Sequence, residues 1–538
     1  APGFHNRFGK SHREFCRAIA RHRAVHALPG NGRDDDDAAA GFVGGSSAPA
    51  PPAIPTNAPA GEEPRPVLRT AGGEAMDGAW LSRLRLLSGG GNPGCGGHVT
   101  VKDPPGRVDW TSQPHSRIYL LEWSPAASGG NGGEDRGERS GNGSSAPRED
   151  RNRLLVLVKQ MYLPELLAKC PRPDRKLERD VASYRNECAF VRKLSGALNA
   201  AGAKVPSPIF VESCLRSNFL ASSKFQLVTE YFPPDHWEQH SLVPPRLVPA
   251  VVGWLARLHA RFWGDAQTLA ELSGQSETAE TIWAVGSFYD LGKRSPAELD
   301  DLPANYAAFL ARFEAAAAEA GNRDDAAFFG SPRVRQVGGR LAARAEAIST
   351  FLTAAPWERK TLVHGDAKAG NCFFAKGARR NQAGGAGPGF HGEVAAIDFQ
   401  WSGVGLGVQD LAYFCHTSLL EFGGSASGVD VDALVSLYHS ALRDAWPLAA
   451  ACGERGQPPP SPLPSESELK ALFKVAFLDF VRFTLAYSTH KLTPVELAQN
   501  ASMGACIPHK RSVARLSWLV DRTADFLEEW DSGGLTQV

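Results

Sequence analysis

Leu362-Val-His-Gly-Asp-Ala-Lys-Ala-Gly-Asn371, followed after an apolar run by Ile397-Asp-Phe-Gln400, is the stretch from which the rest of the chain can be organised. It sets out an acid, a lysine two places on, an amide three beyond that, and then a second acid. Each type meets one demand of phosphoryl transfer, a reaction in which the protein supplies positioning and electrostatics more than covalent chemistry. On this pattern Asp366 accepts the proton of an attacking hydroxyl and Lys368 sits against the transferred phosphoryl group. Asn371 and Asp398 hold Mg2+ on the nucleotide phosphates. Either motif alone is usually a turn or a strand end; their order and spacing together carry the expectation.

The pair resembles the kinase-like small-molecule phosphotransferases, meaning the aminoglycoside phosphotransferase, choline kinase and ecdysteroid-kinase-like group, which is similar in fold to the protein kinases. Protein kinases read H-R-D-x-x-x-x-N and then D-F-G. Here Gly365 stands in place of the Arg and Gln400 in place of the Gly, the form used by the small-molecule branch. The resemblance implies an α+β, bilobal protein-kinase-like fold. A small β-rich N-lobe over residues 76–231 would bind nucleotide, and a larger, mainly helical C-lobe over 232–538 would carry the catalytic loop and the acceptor-binding helices. It implies ATP and Mg2+ as cofactors and a hydroxyl of a small metabolite as acceptor. It also implies that Lys159 holds the α- and β-phosphates, steadied by Glu187, and that adenine docks through the backbone of Glu230, Tyr231 and Phe232. His364 and Asp410 are expected as structural support, Asp410 by accepting backbone N–H groups of the catalytic loop. One feature of protein kinases is missing: between Lys102 and Ile118 there is only Gly106, where a G-x-G-x-x-G would cover the phosphates. That gap bears on nucleotide affinity more than on fold.

Lysines and arginines equal aspartates and glutamates at 58 each, so no net charge draws the chain to nucleic acid or anionic lipid. Nine scattered cysteines without a CxxC pair argue against a zinc site or a disulfide framework and fit a reducing, cytoplasmic setting. No apolar run approaches the roughly 18 residues needed to cross a bilayer. Residues 1–75 have too little apolar content to offset ordering entropy and read as a disordered tail. The basic, acid-poor start of that tail, up to Arg33, reads as a solvated segment, with an organellar targeting segment as the alternative. Met76 stands near the expected start of the folded part.

A short helix is expected over 81–87, with strands over 99–102, 118–123, 154–158, 206–212 and 225–231. The apolar run over 154–158 ends at Lys159. Residues 124–152 read as a loop within one hairpin. Tyr184, Cys188 and Val191 repeat at helical spacing around Glu187. Val251, Trp254, Leu255, Leu258 and Phe262 mark an amphipathic helix on which His259 and Arg261 look structural or solvent-facing. In relatives, the region of Trp283 to Tyr289 helps shape the acceptor pocket. Helices over 304–321 and 334–352 precede the catalytic loop, strands over 371–374 and 393–397 flank a Gly-rich surface loop, and Ser465 to Glu468 form a capping box. On the helix opened there, Asp479 and Arg482 lie one turn apart and read as an ion pair. Two alternatives stand beside this reading. A protein kinase would need an Ala-Pro-Glu after Phe399, which is absent. A catalytically silent scaffold would not need Lys159, Asp366, Asn371 and Asp398, all of which are present.

Overall fold

The alternation of Leu154-Leu-Val-Leu-Val-Lys-Gln-Met-Tyr162 sends Val156, Val158 and Gln160 to one face and Leu157 and Lys159 to the other, as a pleated strand requires. In the computed structural model, which describes residues 76, 97–102, 116–125, 154–162, 175–214, 223–274, 280–376, 393–424, 428–451, 462–489, 491–503 and 507–537, this run is the central strand β3 (Leu154–Tyr162) of an antiparallel five-stranded sheet. The other strands are β1 (Gly97–Lys102), β2 (Ser116–Pro125), β4 (Pro208–Cys214) and β5 (Lys224–Glu230), in the order β1-β2-β3-β5-β4. The strand does not end at Lys159 as the sequence suggested. It runs on to Tyr162 because Met161 is buried and paired between Ser116 and Phe225. Met76 is buried with its sulfur facing the amides of Gln160 and Gln226. The expected tail over 1–75, the helix over 81–87 and most of the two long loops lie outside the described residues.

Helix α1 (Arg175–Ala200) follows, burying Tyr184, Cys188 and Val191 along one stripe. Tyr184 meets Phe225 of β5 with ring centroids 6.2 Å apart. The chain divides into two compact units. The sheet unit includes the strands, α1 as far as Arg192, and Pro206–Tyr231. Lys193–Val205 and everything from Phe232 onward group in the other, so the end of α1 does not share the unit of its beginning.

The second unit is mainly helical. Its helices are α2 (Val248–Phe262), α3 (Ala266–Ser273), α4 (Pro296–Asp300), α5 (Leu302–Glu319), α6 (Arg323–Gly330), α7 (Pro332–Arg335), α8 (Val337–Thr353), α9 (Gly407–Ser418), α10 (Val431–Ala451), α11 (Glu466–Phe483), α12 (Pro494–Met503) and α13 (Val513–Asp531). Helix α11 is buried on almost every side, from Leu469 to Phe483. Ser465 caps it by accepting the N–H of Glu468, whose carboxylate pairs with Arg359 at 2.8 Å instead of reaching back to close a box. Five short strands hold the chemistry-bearing segments: β6 (Trp237–Glu238), β7 (Thr361–Val363), β8 (Cys372–Ala375), β9 (Val394–Ala396) and β10 (Gly403–Gly405). β7 pairs with β10, and β8 is flanked by β6 and β9. No helix among the described residues is long and apolar enough to cross a membrane.

Candidate active site

Helix α9 grips the catalytic loop at three points on one side of its length. Near its start, the two oxygens of Asp410 accept the backbone N–H groups of His364 at 2.6 Å and Gly365 at 2.8 Å. One turn on, Tyr413 donates to Asp366 Oδ1 at 2.5 Å. At the last residue, Ser418 Oγ accepts the N–H of Ala369 at 2.8 Å. Asp410 is itself held by His259, whose Nε2 donates to it at 3.1 Å while Nδ1 meets the Tyr438 hydroxyl at 2.7 Å. Burial, and then the Asp410 charge, push the Tyr438 phenol well above its usual range, so it keeps its proton and donates to Nδ1. That leaves the proton of the ring on Nε2, facing the carboxylate. Gly407, at the start of α9, makes room for this chain: a Cβ there would lie 2.3 Å from the Tyr438 hydroxyl.

The loop itself turns at Gly365, with φ of 79°. A Cβ at this position would stand 2.1 Å from the Trp401 carbonyl oxygen, so backbone conformation and space both demand glycine. An arginine, as in the protein-kinase motif, does not fit. His364 is buried, accepts the Asp366 N–H on Nδ1 at 3.2 Å and donates from Nε2 to the Ile397 carbonyl at 3.1 Å. It thereby ties the catalytic loop to the residue before Asp398.

The Asp366 carboxylate, 4% exposed, receives three donors. Tyr413 takes Oδ1, while Lys368 Nζ at 2.8 Å and Asn371 Nδ2 at 3.1 Å both take Oδ2. Asn371 also donates to the Asp366 carbonyl at 2.8 Å. Lys368 is nearly half exposed, unlike the carboxylate it pairs with. The neighbouring Cys372 thiol is pushed up to about 12 by burial and by the Asp366 charge, so it stays protonated.

Asn371 and Asp398 meet through the hairpin of β8 and β9. Cys372 pairs with Ala396, and the Ile397 N–H donates to the Asn371 carbonyl at 3.0 Å, which sets the two residues side by side at the hairpin base. Asp398 adopts φ of 68°, a left-handed conformation unusual for a residue with a side chain, though Asp tolerates it better than most. Phe399 packs on His364 with centroids 4.9 Å apart.

In the sheet unit, Lys159 Nζ lies 2.7 Å from Glu187 Oε2, both largely buried. The Glu230 carboxylate accepts the Ser207 N–H at 3.2 Å within its own sheet. Phe232 packs in the helical unit against Trp237 and Phe373, so the expected adenine-docking segment straddles the boundary at Tyr231 and Phe232. Thus Asp366, Lys368, Asn371, Asp398, His364 and Asp410 come together in one unit, and Lys159 with Glu187 in the other.

Trp283, Tyr289, Asp479 and Arg482 are held within the helical unit. Trp283 pairs its backbone with Ser402 and Val404, donates from Nε1 to the Gln400 carbonyl at 2.8 Å, and stacks on Trp401 at 5.8 Å. It anchors the strand that follows Gln400. Tyr289 is fully buried and stacks on Tyr413 with rings 3° from parallel. Asp479 and Arg482 form a buried pair at 2.9 Å, with the guanidinium also donating to the Tyr289 carbonyl at 2.8 Å. Tyr413, Ser418 and Tyr438 hold the site and were not singled out in the sequence, whereas His259, read there as structural or solvent-facing, is fully buried and structural. Only Tyr413 carried a signal, its helical spacing from Asp410.

The family described as Phosphotransferase enzyme family matches residues 175–436, a span that contains every residue of this loop and hairpin. No curated protein matches the chain. Similar solved structures include the amicoumacin kinase hAmiN in complex with AMP-PNP, Ca2+ and Ami, at 11% identity over 80% of this chain and 88% of that one, with a TM-score of 0.32. The choline kinase from Cryptosporidium parvum Iowa II is similar at 10% identity over 81% and 91%, with a TM-score of 0.32. A microcompartment-associated aminopropanol kinase is similar at 10% identity over 80% and 99%, with a TM-score of 0.29. The resemblance to the kinase-like phosphotransferases, first read from His364-Gly-Asp and Asp398-Phe-Gln, therefore extends across residues 175–436.

Proposed function

We propose that the chain is an ATP- and Mg2+-dependent kinase that transfers the γ-phosphate to a hydroxyl of a small metabolite. The observation that carries this reading is Asp366, a buried carboxylate whose orientation is fixed by Tyr413, Lys368 and Asn371 beside the Asn371 and Asp398 pair. As the acceptor oxygen bonds to the γ-phosphorus, its proton passes to Asp366 and the bond to the bridging oxygen breaks, the electron pair leaving with ADP. Lys368, nearly half exposed while its ammonium stays on Asp366 Oδ2, has further N–H groups with which to counter the charge on the group in transit.

The donor set fits Mg2+, which prefers hard oxygens and takes only one or two from protein when phosphates supply the rest. Because the amide nitrogen of Asn371 is committed to Asp366, its amide oxygen would be the ligand atom, together with the Asp398 carboxylate. When bound, Mg2+ would neutralise charge on the phosphate oxygens. Lys159, held by Glu187, is proposed for the α- and β-phosphates and the backbone from Glu230 to Phe232 for adenine.

Titration calorimetry with Mg-nucleotide and a phosphorylation assay against a panel of alcohols test the proposal. Asp366→Ala should bind Mg-nucleotide yet transfer phosphate about 10²–10⁴-fold more slowly. Asp398→Ala should lose metal-dependent nucleotide binding. Transfer by Asp366→Ala at the wild-type rate would remove the assignment.

A further inference from the structure

Of the three donors on the Asp366 carboxylate, two converge on one oxygen: Lys368 at 2.8 Å and Asn371 at 3.1 Å both take Oδ2. Among the described residues, Oδ1 receives only Tyr413, at 2.5 Å. An ionised carboxylate offers about four acceptor sites, so Oδ2 is filled and Oδ1 keeps one. We infer that Oδ1 is the atom that takes the proton of the acceptor hydroxyl, and that Tyr413 is the positioning residue that aims it. The inference rests on the reading of Asp366 as the base.

Tyr413 is built to hold its hydroxyl still. Its ring stacks on Tyr289 at 5.8 Å and is met edge-on by Phe288 at 5.7 Å and Phe480 at 5.0 Å. The Tyr289 hydroxyl donates to the Gln409 carbonyl of the same helix, so the stack is tied to the element that also carries Asp410. With Oη fixed, the carboxylate cannot rotate about its last bond without losing this hydrogen bond, and the remaining site on Oδ1 keeps one direction. In the transfer step Tyr413 retains its own proton. The hydroxyl proton of the acceptor goes to Oδ1, the acceptor oxygen bonds to the γ-phosphorus, and ADP departs with the electrons of the broken bond. Misplacing a catalytic group by about 1 Å costs on the order of 10²-fold in rate, whereas nucleotide affinity does not depend on that aim.

Phosphate release from Mg-ATP, with water as the acceptor, gives a readout that needs no knowledge of the natural alcohol. Tyr413→Phe should lower kcat about 10- to 100-fold, with the KM for Mg-ATP within about twofold of wild type. Tyr306→Phe removes another buried hydroxyl, one that donates to the Val334 carbonyl away from the site, and should leave kcat unchanged at a comparable melting temperature. Should Tyr413→Phe not fold, 4-fluorophenylalanine at position 413 fills the space of the hydroxyl and cannot donate. Wild-type kcat in either folded variant, or a loss confined to KM, overturns the inference. Wild-type phosphate release by Asp366→Ala would instead overturn the base assignment itself, so the two failures are told apart.

Discussion

The two ends of helix α9 treat buried polarity in opposite ways. At the Asp410 end, two loop N–H groups and the His259 ring converge on one carboxylate, and Tyr438 completes the line. At the Cys415 end, neither nitrogen of His416 has a hydrogen-bond partner among the described residues, nor does Nη1 of Arg515. Arg515 is fully buried with no carboxylate in ion-pair distance among the described residues. Its guanidinium donates to the Cys415 carbonyl at 2.9 Å and lies 3.7 Å over the Trp518 ring. Polar satisfaction is thus concentrated at the Asp410 end, while the Cys415 end holds the loop through Ser418 and otherwise relies on packing of His416 against Phe477 and Phe480.

The largest break in this contrast should come from Asp410→Ala. It strands two backbone donors and the His259 ring in the core, so unfolding in urea should show a loss of at least about 3 kcal/mol, and phosphate transfer should vanish with it. Acid should act on the other end. Burial, then the charges of Arg515 and His509, hold His416 well below its usual value. Burial, then Lys510 and Arg515, hold His509 at about 3. An unfolded histidine titrates near 6.5, so below that pH the unfolded chain binds the extra protons. Stability is therefore complete above pH 6.5 and falls by about 1.4 kcal/mol per histidine per pH unit as the solution is acidified. Between pH 6.5 and 5.5, His416→Phe should roughly halve that slope in thermal or urea melts. The smallest effect is expected from Arg515→Met, where removing a cation that has no counter-charge should leave the denaturation midpoint unchanged or raise stability by about 1 kcal/mol.

The chemistry was legible because its residues are close in sequence and each type is rare in that company. Residues 364–371 lie on one loop, and Asp398 sits just past a short hairpin. What holds them was not. His259 and Tyr438 are 179 positions apart, and neither a histidine on an apolar helix nor a tyrosine on another announces a bond to the other. Strands of three residues such as β7 and β10 are too short for an alternating pattern to register. The end of β3 was misplaced because Lys159 looks like a boundary, whereas the strand alternates straight through it. Trp283 lies in a segment that relatives use near the acceptor pocket, and its backbone pairing and its stack on Trp401 make it a brace for the chain after Gln400, a partner only long-range register reveals.

The β8 and β9 hairpin separates two jobs along its axis. Its base is fastened by the Ile397 to Asn371 bond, and its far end closes with the Ala375 N–H on the Glu393 carbonyl at 3.0 Å. The chain leaves the hairpin at Lys376 and returns at Glu393, and lengthening a connection between two such fixed points changes the closing entropy only logarithmically. That junction is accordingly the place to graft an epitope or a fluorophore on this protein, a handle attached a full hairpin's length from the residues that would handle the nucleotide.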